Sequence, residues 1–493
     1  MKNRHLKKIF LGVILLSAIP ALNIVCLLLL PTLRVFFFVL SGISVLTVTL
    51  MRERAELKTS YIFLCVIFPV TAPLLVCAAF CLAYRSRRKM PQRECDALPD
   101  LSDIPDLIRG AVAAAFALDP TAEITCDFSS EYFSSGEAMA EDIIKCISLA
   151  EEFVYLEYYI VAEGEFLDRL TDALAKAASR GVKVCLLYDD IGSILGVAGD
   201  FSLRLAKMGI LAVPFSPLSA SAWKTNARDH RKLIIIDGRT AYTGGINISD
   251  EYLFGENARG RWKDAGLKIK SPHVLSVTAS FDEMLAIACR EEFEVGGIAS
   301  KPSGRVMRES CAFCLIFSSY PQRIYGESVA REVIISLLSA ATCSIVLASP
   351  YFIPDRELFK ALLRAARRGV DISVILPGVP DKRFVKAVAE GFYDEMKAAG
   401  VKIYEYTPGF LHSKILLIDG KAALVGSINF DQRSLYQNFE CAALIYNSFA
   451  ISDISADLDS IIKESALMEN NLGYQSLKKK AARLFFEAAL PIL

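Results

Sequence analysis

Two of the four histidines in this chain open the same spaced pattern. The first copy reads His230-Arg-Lys232-Leu-Ile-Ile-Ile-Asp237-Gly238, followed by Gly244-Gly245-Ile-Asn247. The second reads His412-Ser-Lys414-Ile-Leu-Leu-Ile-Asp419-Gly420, followed by Gly426-Ser427-Ile-Asn429. A single histidine on a strand is usually a satisfied core residue. Two copies with matched Lys, Asp, Gly and Asn point instead to chemistry. Histidine titrates near neutrality and serves as nucleophile, acid or base. Lysine and asparagine stabilise oxygens on which charge develops in a transition state. The set suits attack on a phosphodiester. One copy is incomplete by itself, because a nucleophile and a separate leaving-group acid are both needed; two copies facing each other supply both. The candidate catalytic residues are His230, Lys232, Asp237, His412, Lys414 and Asp419. Gly245, Asn247, Ser427 and Asn429 are the candidate substrate contacts, the small residues by permitting close backbone approach. No cofactor is called for, and neither copy carries a carboxylate cluster of the kind that holds magnesium.

The elements that position these residues are legible around them. His-x-Lys followed by an aliphatic run predicts a strand with the two polar side chains on one face. Asp237-Gly238 and Asp419-Gly420 are tight-turn dipeptides that return the chain as a hairpin. Those aspartates, although part of the motif, are expected mainly to hold the turns. Upstream, each copy repeats strand, helix, glycine, strand: 153–160, 168–179 and 182–188 in the first, 344–353, 357–367 and 370–376 in the second. Glycine ends each helix, as in a βαβ crossover. The expected fold is α/β, two duplicated halves with mixed sheets packed around one shared active site. Aligning the halves further sets Trp262-Lys-Asp264-Ala-Gly-Leu against Phe439-Glu440-Cys-Ala-Ala-Leu. Asp264 and Glu440 are thereby equivalent carboxylates, expected to orient the histidines by fixing the second ring nitrogen.

These motifs resemble the phospholipase D superfamily with its paired H-x-K-x4-D signatures, over roughly residue 105 to the C-terminus. The resemblance is nearest to the bacterial cardiolipin synthases, through Asn226-Ala-Arg-Asp-His230, Pro350-Tyr-Phe-Ile-Pro-Asp355, Gly409-Phe-Leu-His412 and Gly426-Ser-Ile-Asn-Phe-Asp-Gln-Arg-Ser434. Asp229 departs from the asparagine common before the first histidine. The resemblance implies a phosphatidyltransferase: one histidine takes the phosphatidyl group of phosphatidylglycerol, and a second phosphatidylglycerol then accepts it. By that analogy His230 is the nucleophile and His412 the acid and base. A hydrolase shares the first half-reaction, so the motifs alone leave water open as acceptor. A nuclease or an inactive scaffold is disfavoured.

Composition bears on those alternatives. The 55 basic and 55 acidic side chains cancel, whereas nucleic-acid binding draws on a basic excess; no nucleic-acid partner is expected. Hydrophobic residues make up 53% and crowd the first 90. Ile9–Leu30, Val35–Met51 and Tyr61–Tyr84 are apolar runs on the scale of membrane helices, the third interrupted by Pro69 and Pro73. They predict a multi-pass anchor in the cell membrane, with membrane phospholipid as partner. Basic clusters before the first run and after the last both call for the cytoplasmic side. Two full crossings satisfy that, with the short second or the proline-broken third segment re-entrant or paired as a hairpin, and the catalytic region is then cytoplasmic. The expected organisation is an anchor at 1–90, a linker at 91–105, and halves at 106–300 and 301–493. Cys311 and Cys314 form one C-x-x-C without a second pair and are read as ordinary buried thiols. The C-terminal 481–493 is expected as an interfacial or packed helix.

Overall fold

The computed structural model describes residues 34–50, 55–71, 73, 101–215, 227–253, 256–257, 260–289, 311–322 and 326–468. The first hydrophobic run, half of the third, residues 91–100 of the linker and the C-terminal segment 481–493 lie outside them. The chain divides into two compact units. Within the first, helices α1 (Arg34–Leu50) and α2 (Ala55–Ile67) pack together through Val48, Tyr61 and Cys65. Ser41 Oγ donates to the carbonyl of Cys65 at 2.7 Å. Val35, Phe36, Phe38, Val39, Ile43 and Leu46 of α1 are exposed. Among the described residues no helix is long and apolar enough to cross a membrane.

The second unit holds the duplicated region, and its repeat is complete at the level of sheet topology. The strands of the first half are β1 (Ser129–Phe133), β2 (Phe153–Tyr158), β3 (Lys183–Asp189), β4 (Ile210–Phe215), β5 (Lys232–Ile236), β6 (Thr240–Gly244), β7 (Gly260–Lys263) and β8 (Gly266–Lys270). Those of the second are β9 (Phe313–Ser319), β10 (Ser344–Ala348), β11 (Asp371–Pro377), β12 (Lys402–Tyr406), β13 (Gly409–Leu411), β14 (Ile415–Ile418), β15 (Ala422–Gly426) and β16 (Glu440–Tyr446). One sheet runs β1-β8-β6-β5-β2-β3-β4; the other repeats that order as β9-β16-β15-β14-β10-β11-β12 and adds a short strand at each edge. One of these, Glu123–Thr125, comes from the stretch assigned by sequence to the first half but pairs with β9. Both sheets are mixed: β2, β3 and β4 are mutually parallel, while β5 runs antiparallel to β2.

The crossover helices α3 (Glu165–Ser179) and α4 (Arg356–Arg367) each bury a leucine-rich stripe, Leu167, Leu170 and Leu174 in one and Leu358, Leu362 and Leu363 in the other. Asp355 caps α4 by accepting from the amides of Glu357 and Leu358. Each helix ends at a glycine of positive φ, Gly181 and Gly369. β2 is buried at every position, as expected of a central strand covered on both faces, and this makes Glu157 within it conspicuous.

The two motif aspartates sit where the chain reverses. Asp237 and Asp419 have φ of 52° and 53°, and the glycine after each is also positive, the geometry of a tight hairpin turn. Asp237 accepts hydrogen bonds from the amides of Glu151, Glu152 and Phe153. Asp419 accepts from Thr342, Cys343 and Ser344. Each carboxylate thus pins the hairpin to the start of the neighbouring parallel strand. Burial works against the charge of Asp419, but these amides outweigh it and hold its carboxyl below the usual range. Asp419→Ala should cost about 1–3 kcal/mol by stranding these amides, read by chemical denaturation. Because the folded pKa is depressed, the loss should be full near neutrality and shrink as pH falls through the carboxylate range.

Candidate active site

Both histidines lie just before the aliphatic strands of their motifs, and Lys414 precedes its strand as well. β5 begins at Lys232 and β14 at Ile415, so the expected strand does not extend back to either histidine. There the chain changes partners and pairs with the other half. β13 runs parallel to β7, with Phe410 opposite Trp262 and Leu411 opposite Lys263, and the His412 amide continues the ladder to the Lys263 carbonyl at 2.7 Å. In the mirror-image seam Asp229 bridges Phe439, and the His230 amide donates to the Phe439 carbonyl at 3.0 Å.

Each seam delivers a carboxylate from one half to the histidine of the other. His230 Nδ1 lies 3.0 Å from Glu440 Oε1, and His412 Nδ1 lies 2.6 Å from Asp264 Oδ2. Gly266 pairs with Gly244 and Ala442 with Gly426, so Asp264 and Glu440 occupy equivalent positions. With Nδ1–H directed at a carboxylate, Nε2 of each ring keeps its lone pair. Each lysine folds back on its own motif: Lys232 Nζ donates to the His230 carbonyl at 2.6 Å, and Lys414 Nζ donates to the His412 carbonyl. Aromatic rings wall the site, Tyr159 beside His230 and Tyr252, Trp262 and Phe410 around His412.

Burial dominates the electrostatics. It lowers His230 to about 4, with Lys232 adding to the effect and Glu440 opposing it. It lowers His412 to about 3, with Lys414 adding to the effect and Asp264 opposing it. It brings Lys232 down to about 7 and Lys414 to about 8. Glu440 is held low despite its own burial, by His230 foremost and by Lys232 and Ser427. Burial therefore favours neutral imidazoles at rest and makes the ammonium charge of both lysines costly to keep.

The proposed substrate contacts fall differently from expectation. A Cβ on Gly245 would stand 2.1 Å from Asp264 Oδ1, so its missing side chain makes room for that carboxylate. Ser427 Oγ donates to Glu440 and accepts from the Cys441 amide. At both positions a protein carboxylate, rather than a ligand, takes the space. Asn247 accepts from the Ile160 amide and donates to Tyr252 Oη at 2.7 Å. Asn429 is buried, and its Oδ1 has no hydrogen-bond partner. Asp237 and Asp419 stand at the turns described above, their carboxylates occupied by backbone amides. Cys314 is buried in β9 and Cys311 exposed before it. Among the described residues no group of three or more His, Cys, Asp or Glu is arranged to hold a metal ion.

A buried ionic cluster beneath His230 escaped the sequence reading. Arg231 is 0% exposed. Its guanidinium reaches Glu157 Oε1 at 3.4 Å, Ser280 Oγ at 2.8 Å and the Glu440 carbonyl at 3.3 Å, and lies over the rings of Tyr320 and Phe439. Asp229 and Glu157 are both fully buried and hydrogen-bonded to each other; burial raises both carboxyls, and the charge of Glu157 raises Asp229 further while Arg231 opposes the rise in each. One cation facing two carboxylates is balanced when the acids share a proton. That proton also satisfies Asp229 Oδ2 and Glu157 Oε2, which otherwise have no partner. A protonated Asp229 offers an O–H where asparagine would offer an N–H, so its departure from the family pattern leaves net charge unchanged. Nearby, Arg228 pairs with buried Asp189 at 3.5 Å. By strand register, Glu157, Asp229 and Arg231 correspond to Ala348, Leu411 and Ser413. The cluster belongs to one half only. The one legible signal was an acid inside an otherwise uncharged strand.

The family model described as cardiolipin synthase, phospholipase D-like domain, matches residues 143–285 and 334–463. An uncharacterised protein of Streptococcus mutans is 35% identical over 364 residues, 73% of this chain and 78% of that protein. A cardiolipin synthase of Geobacillus kaustophilus is 32% identical over 353 residues, 71% and 68% of the two chains. Among solved structures, phosphatidylserine synthase of Haemophilus influenzae superposes with a TM-score of 0.59 at 15% identity, covering 77% of this chain and 99% of that one; this likeness speaks for the fold alone. The two-half α/β fold with paired His and Lys is that of the phospholipase D-like enzymes. Within them, the chain belongs to the cardiolipin synthase family.

Anion binding should reverse the cost of the ammonium charges. An orthophosphate or phosphodiester placed between Lys232 and Lys414 favours their protonated forms, so binding near pH 8 should take up about one proton. Calorimetric titration with orthophosphate in buffers of different ionisation enthalpy measures it. Heat independent of the buffer would contradict the lowered lysines.

Proposed function

We propose that the chain is a cardiolipin synthase that transfers a phosphatidyl group from one phosphatidylglycerol to another, and that its paired histidines carry the reaction. The observation that carries this reading is the crosswise pairing of each histidine with a buried carboxylate of the opposite half, inside a family of cardiolipin synthases. His230 Nε2 attacks phosphorus and forms a P–N bond. The P–O bond to the headgroup glycerol breaks as His412 gives its proton to the leaving oxygen. The primary hydroxyl of a second phosphatidylglycerol then attacks, His412 takes its proton, and the P–N bond breaks. Cardiolipin and glycerol leave, and both rings return to their starting state.

His412 needs a proton for the first step, and the substrate supplies the reason to gain one. An anionic phosphate offsets the neighbouring ammoniums, and Asp264 then stabilises the imidazolium through Nδ1–H. Lys232 and Lys414 hold the equatorial oxygens. Asp264 and Glu440 are positioning residues. Asp237 and Asp419 support the hairpins, at a remove from the reacting atoms. Gly245, Ser427 and Asn247 act indirectly, through Asp264, Glu440 and Tyr252.

The apolar exposed face of α1 supports anchoring of the first unit in lipid, since exposed runs of this kind are stable only when covered. A bilayer also concentrates the lipid acceptor at the site, which favours transfer over hydrolysis. The neutral charge balance of the chain is unlike that of a nuclease.

Expression in a cardiolipin-deficient bacterial host, followed by lipid mass spectrometry, tests the reaction. Cardiolipin should appear with the parent chain and vanish with His230→Ala or His412→Ala. Phosphatidic acid accumulating in its place would identify a hydrolase. Glu440→Gln and Asp264→Asn should each lower kcat by about 10²–10⁴-fold while the protein stays folded. Asp419→Asn should leave kcat within a few-fold; a loss matching that of Glu440→Gln would move Asp419 into the reacting group.

A further inference from the structure

The parallel strands of both halves end where the histidines lie, since Tyr158 at the end of β2 pairs with Lys232, and Ala348 at the end of β10 pairs with Ile415. The loops leaving those ends therefore border the site. After β11, the segment Val379-Pro-Asp-Lys-Arg-Phe384 leads into helix α5 (Arg383–Ala398). Val379 is 39% and Phe384 37% exposed, and Lys382 and Arg383 between them are exposed as well. Behind this lip lies a shallow cleft with a volume of only about 20 Å³, walled by Tyr351, Leu376, Pro377, Pro380, Val385 and Tyr393.

The cleft adjoins the reacting groups. Tyr351 donates to Asp381 at 2.5 Å, and Lys382 Nζ stands 5.5 Å from its ring centre. The following residues, Phe352 and Ile353, pair with Phe430 and Asp431, directly after Asn429. Asp381 and Asp431 are close enough to favour the charged form of Lys414. The corresponding loop of the first half also shows an apolar side chain, Leu195 at 79% exposure. It is bounded by Asp190 and Asp200, and residues 190–200 include no lysine or arginine. The two sides of the mouth therefore differ in charge.

We propose that the Val379–Phe384 lip docks on an anionic phospholipid surface on the His412 side of the mouth. Val379 and Phe384 enter the acyl boundary, and Lys382 and Arg383 pair with lipid phosphates, each cation contributing on the scale of surface-bound basic residues. A lipid fits the mixture better than a protein partner does. The apolar area is small, its cations flank it, and the cleft behind is lined by aromatic, proline and aliphatic side chains beside a phosphate-binding site. The proposal rests on the lipid-transferase reading and adds where, and from which side, an anionic lipid meets the site.

The test uses the full chain in nanodiscs of phosphatidylcholine and phosphatidylglycerol, with and without bromine on the upper acyl chain. Phe384→Trp should show blue-shifted emission and quenching by brominated lipid beyond that of the parent, and Lys382→Glu with Arg383→Glu in that background should cut the added quenching at least two-fold. Phe449, 97% exposed and following the far end of β16, provides the control: Phe449→Trp should show no added quenching. An unquenched, red-shifted Trp at 384, equal quenching at 449, or indifference to the charge reversal overturns the proposal. Because the readout is optical, quenching at 384 in a chain that makes no cardiolipin would refute the transferase reading alone. Cardiolipin made with Trp at 384 unquenched would refute the docking alone.

Discussion

The site depends on a constraint that neither half can meet alone: each motif imidazole has a carboxylate on its inner nitrogen, and that carboxylate comes from the opposite half. His230 is held by Glu440 and His412 by Asp264. Two short parallel seams enforce the exchange, Leu411 beside Lys263 and Asp229 beside Phe439, each ending in a backbone hydrogen bond from the histidine amide. Weakening either seam would loosen the ring it holds from its carboxylate. The duplicated sheets, the crossover helices and the pinned hairpins bring these two seams within reach of one phosphate.

The halves are alike in topology and unlike in what they bury. A desolvated ion cluster such as Arg231, Glu157 and Asp229 is a poor source of stability, because removing the charges from water costs several kcal/mol per ion. Its value lies in fixing geometry. Arg231 bonds the Glu440 carbonyl, so the strand that presents Glu440 to His230 is tied to the residue after that histidine. The second half manages with Ala348, Leu411 and Ser413 at those positions. His412 is confined instead by aromatic rings and by a shorter contact to Asp264. The mouth repeats this inequality, with a basic lip on one side and acidic flanks on the other. Such asymmetry is what two chemically distinct roles require of a duplicated frame.

Much of the fold was legible because it depends on local pattern. The buried strands 153–158 and 344–348, the amphipathic helices between them and their glycine stops all follow from side-chain periodicity and backbone freedom. Asp237 and Asp419 could be read as turn residues because Asp-Gly favours the required φ. Their three amide partners, more than 70 residues away in sequence, could not. The exchange of strand partners just before each lysine was equally hidden. It depends on the other half being present, and a strand pattern does not say with what it pairs.

The sequence by itself determined the paired His and Lys motifs, their duplication, the equivalence of Asp264 with Glu440 and the family they resemble, because these are matters of residue type and spacing. Tertiary structure alone decided which carboxylate meets which histidine, that Gly245 and Ser427 accommodate those carboxylates, and that Asp229 and Glu157 lie buried together beside Arg231. The physical reason is that hydrogen bonds and desolvation depend on distance in space. A repeat in the chain shows two equal halves, and only their packing shows that each completes the other.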